Sequence, residues 1–138
     1  EANGKIILWS TETFSKVMDI QAHTGQPNEI VFSKDDKYLY SGGEDKIAKM
    51  WDVKTGTLVK HFNGHTQRVY TLDVSPDGKR LATGSSDLTV RVWDVETGES
   101  TIILSDFTNP LYQVRYCPDG KSLIANSMGV EIVLYRAE

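Results

Sequence analysis

The chain has 138 residues, with 15 basic against 19 acidic side chains and a net charge of −4. A quarter of the residues are charged and 39% are hydrophobic, which is a folded globular composition and not a disordered one. The acidic balance argues against nucleic acid, whose phosphates need basic surface, and the longest apolar runs are four residues, where a membrane-spanning helix needs about 20.

No charged-then-apolar leader opens the chain, so no signal peptide is expected. The first predicted strand covers Lys5–Ser10 and contains Trp9. Trp51 and Trp93 follow at intervals of 42, and one further interval lands on Tyr135. Residues 11–52 align on 53–94 without a gap and give twelve identities, His23/His65, Asp45/Asp87, Trp51/Trp93 and Asp52/Asp94 among them. A period in this range is that of one four-stranded propeller blade, and the chain holds three periods and about a quarter of another. We name the strands of a repeat a to d. In the second repeat they are predicted at 68–74, 80–85, 89–94 and 99–104. Apolar and polar residues alternate in Tyr70–Val74 and Val90–Trp93, a period of two. Ser75-Pro76-Asp77-Gly78 is a hairpin turn: proline presets φ, aspartate bonds its own backbone and glycine supplies positive φ. Cys117-Pro118-Asp119-Gly120 repeats it, and Lys34-Asp35-Asp36-Lys37 is a weaker form. Thr55-Gly56 and Thr97-Gly98 mark a second turn after each Trp-Asp pair. Cys117 is the single cysteine, which allows no internal disulfide and points to a reducing, intracellular (cytoplasmic) setting. The last predicted strand is Glu131–Arg136.

Gly64-His65, followed within the same repeat by Trp93-Asp94, resembles the signature of the WD-repeat (WD40-type) β-propeller family. Ala22-His23 and Trp51-Asp52 repeat it and depart only at the glycine. The resemblance implies an all-β fold: a partial β-propeller of about three and a quarter four-stranded blades. The expected organisation is a half blade at 1–22, blades at 23–64 and 65–106, and an incomplete, degenerate blade at 107–138. It further implies a buried polar tetrad in each blade, here His23, Ser41, Asp45 and Trp51, then His65, Thr83, Asp87 and Trp93. The two tetrads are expected to behave alike. A strand-b hydroxyl, a turn carboxylate, an imidazole and an indole N–H are complementary donors and acceptors, and buried polar groups must be paired. In the third repeat the matching residues are Phe107, Ala125, Gly129 and Tyr135. The whole network has gone, and apolar packing should replace it. Asn3 stands at the position of Asp45 and Asp87.

Thr83, His65 and Asp87 have the composition of a nucleophilic triad. Their recurrence in each blade argues for a structural device. His61 reads as an exposed strand histidine, and three histidines with one cysteine do not make a zinc site. Asp35, Asp36 and Asp77 read as hairpin acids, and Cys117 fills the turn slot of Ser33 and Ser75. Gly42-Gly43 and Gly84-Ser85 end strand b, where close packing is the simplest reason. No phosphate-binding glycine loop occurs, so no cofactor, metal or catalytic residue is expected. The family resemblance places a docking platform on the face of the d–a and b–c loops. Position by position it comprises Gln26 and Asn28, Arg68 and Tyr70, Pro110 and Tyr112, and the residues before each turn acid, Glu44, Ser86 and Met128. Arginine and tyrosine are enriched at interface hot spots, although Tyr70 and Tyr112 equally suit a covering role at the ends of strand a.

The function expected is a non-catalytic scaffold for protein or peptide partners, without nucleic acid or membrane. The alternatives are a regulatory or sensor segment of a larger enzyme and a self-assembling propeller piece with a structural role. Three and a quarter blades cannot close a ring and leave open edges. The ring would be closed by the rest of a longer propeller or by further copies of the chain. The former is expected, since strand c is not a natural boundary.

Overall fold

The computed structural model describes residues 3–129 and 132–136; Glu131, at the start of the last predicted strand, lies outside the described residues. Thirteen strands and no helix occur among them. They are β1 (Lys5–Trp9), β2 (Lys16–Gln21), β3 (Pro27–Phe32), β4 (Tyr38–Gly43), β5 (Ala48–Asp52), β6 (Leu58–Phe62), β7 (Val69–Val74), β8 (Arg80–Ser85), β9 (Val90–Asp94), β10 (Ser100–Leu104), β11 (Leu111–Tyr116), β12 (Ser122–Ser127) and β13 (Ile132–Arg136). Antiparallel neighbours form four meanders: β1–β2, β3–β4–β5–β6, β7–β8–β9–β10 and β11–β12–β13. This is the all-β partial propeller. Strands a of successive sheets, β3, β7 and β11, lie side by side.

Period-two alternation turns each sheet into a two-sided wall. On strand b, Leu39 faces the half blade while Tyr40 faces the second full sheet; Leu81 and Ala82 repeat this one sheet on. Three apolar layers result. Ile6, Ile20 and Ala22 meet Leu39 and Trp51; Tyr40, Met50 and Phe62 meet Leu72, Leu81 and Trp93; Ala82, Val90 and Val92 meet Leu111, Val114 and Leu123. Full burial of one such leucine is worth about 1.5–3 kcal/mol, so each layer binds its two sheets firmly. The third sheet packs Phe107 edge-on to Tyr135 at 6.4 Å where a tetrad would stand. Its far side, with Ile124, Ile132 and Leu134, is exposed.

Gly42 and Gly84 let strand b approach the next sheet. A Cβ on Gly84 would lie 2.7 Å from Thr71 Cγ2 and 2.8 Å from Leu111 Cβ. The hairpins obey their turn chemistry. Asp77 Oδ1 accepts from Ser75 Oγ and Lys79 N, with Gly78 at φ 73°. In the weaker turn Asp36 takes the glycine position at φ 58°. Where Cys117 replaces the serine, Asp119 accepts from Ser122 instead. The aspartates of the Trp-Asp pairs cap the following turns, Asp52 accepting from Thr55 N and Asp94 from Thr97 N.

Candidate functional site

In the second full sheet the relay of donors runs one way. Trp93 Nε1–H donates to Thr83 Oγ1 (2.8 Å), and the Thr83 hydroxyl donates to His65 Nε2 (2.7 Å). His65 Nδ1–H then donates to Asp87 (2.8 Å), which also accepts from Thr66 N, Thr89 N and the Thr89 hydroxyl. The first full sheet repeats this with Trp51, Ser41, His23 and Asp45, at 2.9, 2.8 and 2.7 Å. Every polar side-chain atom of the relay has a partner, and each member holds the next in one orientation. Burial lowers the pKa of both imidazoles, against the pull of their aspartates, which favours the neutral tautomer just described.

The order hydroxyl, imidazole, carboxylate is that of a hydrolytic triad. The environment differs. Thr83 and Ser41 are wholly buried, and their oxygens are occupied by indole N–H groups. No substrate carbonyl can approach, so the geometry supports a strut linking strands b and c to the d–a loop.

The two networks are not alike, contrary to expectation. Position 49 supplies a lysine, 9% exposed, whose ammonium donates to Ala22 O (2.6 Å) and Asp45 Oδ2 (2.8 Å). In the second sheet Thr89 plays the second partner, and Arg91, the counterpart of Lys49, lies over the Trp93 ring at 5.8 Å. Burial would raise the Asp45 carboxyl, but the bonds from Lys49 and His23 win and hold it below the ordinary value. Asp87 is held low likewise, against burial, by Thr89, Thr66 N and His65. Sequence comparison missed Lys49. The signal was present as a basic pair, Lys49 and Arg91, one period apart.

The loops at the other predicted site converge on one rim. Backbone bonds pair their members: Glu44 N to Gln26 O, Ser86 N to Arg68 O and Met128 N to Pro110 O. Glu44 also caps Gln26 N through Oε2. Each strand a opens with a β-bulge, at Pro27/Glu29, Val69/Thr71 and Leu111/Gln113, and the unpaired residues are Asn28, Tyr70 and Tyr112. A bulge re-aims its side chain. Here the Tyr70 and Tyr112 rings meet at 6.3 Å, and Asn28 Nδ2 donates to Val69 O. Asn28 therefore works as a link between sheets, whereas Arg68, Tyr112, Met128, Gln26 and Glu44 are exposed and Tyr70 and Ser86 half-buried. Below the rim is a depression of about 220 Å³ lined by Asn28, Glu29, Tyr70, Tyr112, Gln113 and Arg115.

Its floor holds residues no motif marked. Glu29 Oε1 receives Arg115 Nη2 at 2.6 Å, spanning from β3 to β11, and Glu29 Oε2 accepts Leu72 N at 2.8 Å. Thr71 Oγ1 accepts Val114 N, and Asp73 accepts Tyr116 N. These side chains tie strand a of one sheet to strand a of the next. His61 stands apart, exposed on β6.

A family model described as "WD domain, G-beta repeat" matches residues 14–52 and 56–94, more than half of the chain. No curated protein matches it.

Proposed function

The chain belongs to the WD40-repeat family, and we propose that it is a non-catalytic scaffold holding protein or peptide partners on the rim of the d–a and b–c loops. Domains of this family are interaction scaffolds in general. The observation that supports the rim is the three-fold recurrence of paired loops on a rigid frame, with Tyr70 and Tyr112 meeting over the depression and Arg68 exposed on the loop that leads into Tyr70. Loops fixed by a scaffold are where binding residues concentrate, and an aromatic pair beside an arginine has hot-spot composition. The tetrads serve this reading indirectly, by holding the loop ends that carry the rim.

The test is capture of partners from extract by the wild type and by single variants. Arg68→Ala and Tyr112→Ala should lose the captured proteins while melting as the wild type does. Lys79→Ala and Lys121→Ala, on the opposite a–b turns, should retain them. Loss with the lysine variants and retention with the rim variants would place the docking surface on the other face.

A further inference from the structure

On the face opposite the rim, a groove of about 410 Å³ runs between the first and second full sheets. Its floor is Tyr40 on β4 and Met50 on β5, both buried. Its walls are the half-buried Tyr38, Pro76 and Val95. The two a–b turns bring exposed carboxylates, Asp35 and Asp77, to its mouth. All of these residues belong to the two four-stranded sheets and the turns they carry.

The floor carries a group that the frame does not use. Tyr40 is 1% exposed, with its ring 6.4 Å from that of Phe62. Its hydroxyl makes no hydrogen bond among the described residues. Burial, with Tyr38 and Asp35 nearby, pushes its pKa up to about 12, so it keeps its proton as a donor. The equivalent positions in the next two repeats hold Ala82 and Ile124, so a hydroxyl here is no requirement of the sheet. Buried polar groups are ordinarily paired, and the groove is where this one can find an acceptor.

The chemistry of the lining selects the occupant. The floor offers a proton donor, and the side chains of Met50, Pro76 and Val95 offer nothing to receive one. An ordinary peptide laid there brings backbone N–H groups that these side chains cannot satisfy, whereas a proline brings a carbonyl and no N–H. Proline-rich segments hold the extended polyproline II form in advance of binding, with their carbonyls free, and aromatic-lined grooves are where they dock. At the mouth, Asp77 uses Oδ1 for its own turn, accepting from Ser75 Oγ and Lys79 N, which leaves Oδ2 for a partner. Asp35 Oδ2 is 3.5 Å from Lys37 Nζ. The turn bonds hold both carboxyls below the ordinary value, so both are charged. Against them the lining has one cation, Lys34.

We propose that this groove binds a proline-rich peptide segment flanked by a basic residue. A carbonyl of the segment accepts from the Tyr40 hydroxyl, proline rings lie against Tyr38 and Pro76, and the arginine or lysine pairs with Asp77. The site is separate from the rim and does not rest on it.

Fluorescence anisotropy of a labelled hexaproline flanked by arginines, titrated with the full chain, tests this. The comparison peptides carry glutamate in place of arginine, or glycine in place of alternate prolines. The arginine peptide should bind, and salt should weaken it. The glutamate form should bind at least roughly tenfold more weakly, since like charges then meet at the mouth. Tyr40→Phe removes one hydrogen bond and should weaken binding about 2- to 12-fold, while melting as the wild type does, because the hydroxyl has no partner to lose. Asp77→Asn keeps the turn acceptor and should narrow the preference for arginine over glutamate. Arg68→Ala and Tyr112→Ala, on the rim, should bind the peptide as the wild type does. No binding of the arginine peptide at millimolar concentration, equal binding of the three peptides, or full affinity in Tyr40→Phe overturns the proposal. A lowered melting temperature for Tyr40→Phe overturns it as well, since the hydroxyl would then be satisfied within the fold or by water alone.

Discussion

Removing Asp45 should cost more than removing Asp87, although the two stand at the same place in successive repeats. Asp87→Ala leaves His65 Nδ1–H with only the Thr89 hydroxyl at 3.3 Å, and a buried orphan donor costs about 1–3 kcal/mol. Asp45→Ala strips His23 in the same way and also removes the carboxylate 2.8 Å from the Lys49 ammonium, leaving Ala22 O as its remaining partner. Breaking a buried ion pair from one side costs about 3–5 kcal/mol. The difference between the variants is then about 2 kcal/mol, or a melting temperature lower by about 5–10 °C for a domain of this size. Thermal and urea unfolding followed by circular dichroism measure both. Lys49→Met in the Asp45→Ala background removes the stranded charge and should recover roughly that 2 kcal/mol. Equal losses for Asp45→Ala and Asp87→Ala, or no recovery from Lys49→Met, would refute the assignment of Lys49 to the first network.

Acid should unfold the chain earlier than surface charge alone would cause. Burial holds His23 and His65 below the ordinary 6.5, so the unfolded chain takes up protons first, and their contribution is intact above pH 6.5 and lost as pH falls through the lowered folded-state values. Asp45 and Asp87, held below the ordinary 3.8, extend the loss to lower pH, while Asp73, raised by burial, opposes it there; a urea midpoint unchanged from pH 7 to pH 5 would contradict this. Gly84→Ala puts a methyl group within 2.8 Å of Thr71 and Leu111 and should cost about 1–3 kcal/mol by overpacking, read from the shift in urea midpoint. Glu29→Ala leaves Leu72 N without its acceptor and frees Arg115, a loss of about 1–3 kcal/mol. Glu29→Gln keeps the acceptor and should lose about 1 kcal/mol or less, since the half-exposed ion pair is worth little; equal losses would shift the weight to the ion pair.

The parts of the molecule that could be read from the sequence are those contained within one period. His65, Thr83, Asp87 and Trp93 lie inside a single repeat and have counterparts in register in the repeat before, so their common chemistry shows as identity at fixed spacing. The turns were legible for the same reason, since Asp77 and Gly78 act on neighbours. The ties between sheets were not. Each joins one repeat to the next, and the acceptor that holds Leu72 N is a glutamate in β3 while its counterpart on Val114 N is a threonine in β7. What these share is a side-chain oxygen, which no identity count registers. Lys49 and Arg91 show the converse, since similar residues at equivalent positions do different work, one inside a polar network and the other over an indole face.

The same contrast explains why the proposed docking rim is the least legible part. The frame repeats because every blade solves the same packing problem, and each solution must fit its neighbour. The rim need not repeat. Its equivalent positions hold Gln26, Arg68 and Pro110 on one loop, Glu44, Ser86 and Met128 on the other, and Asn28, Tyr70 and Tyr112 at the bulge. A partner laid across three loops meets a different side chain on each, and discrimination among partners needs that difference. Periodicity therefore marks what holds the fold, and its failure at loops that the frame still fixes in place marks where selectivity can be built. Tyr112 and Arg68 satisfy both conditions, being exposed, irregular in the repeat and set by the bulge and by the backbone bond from Ser86.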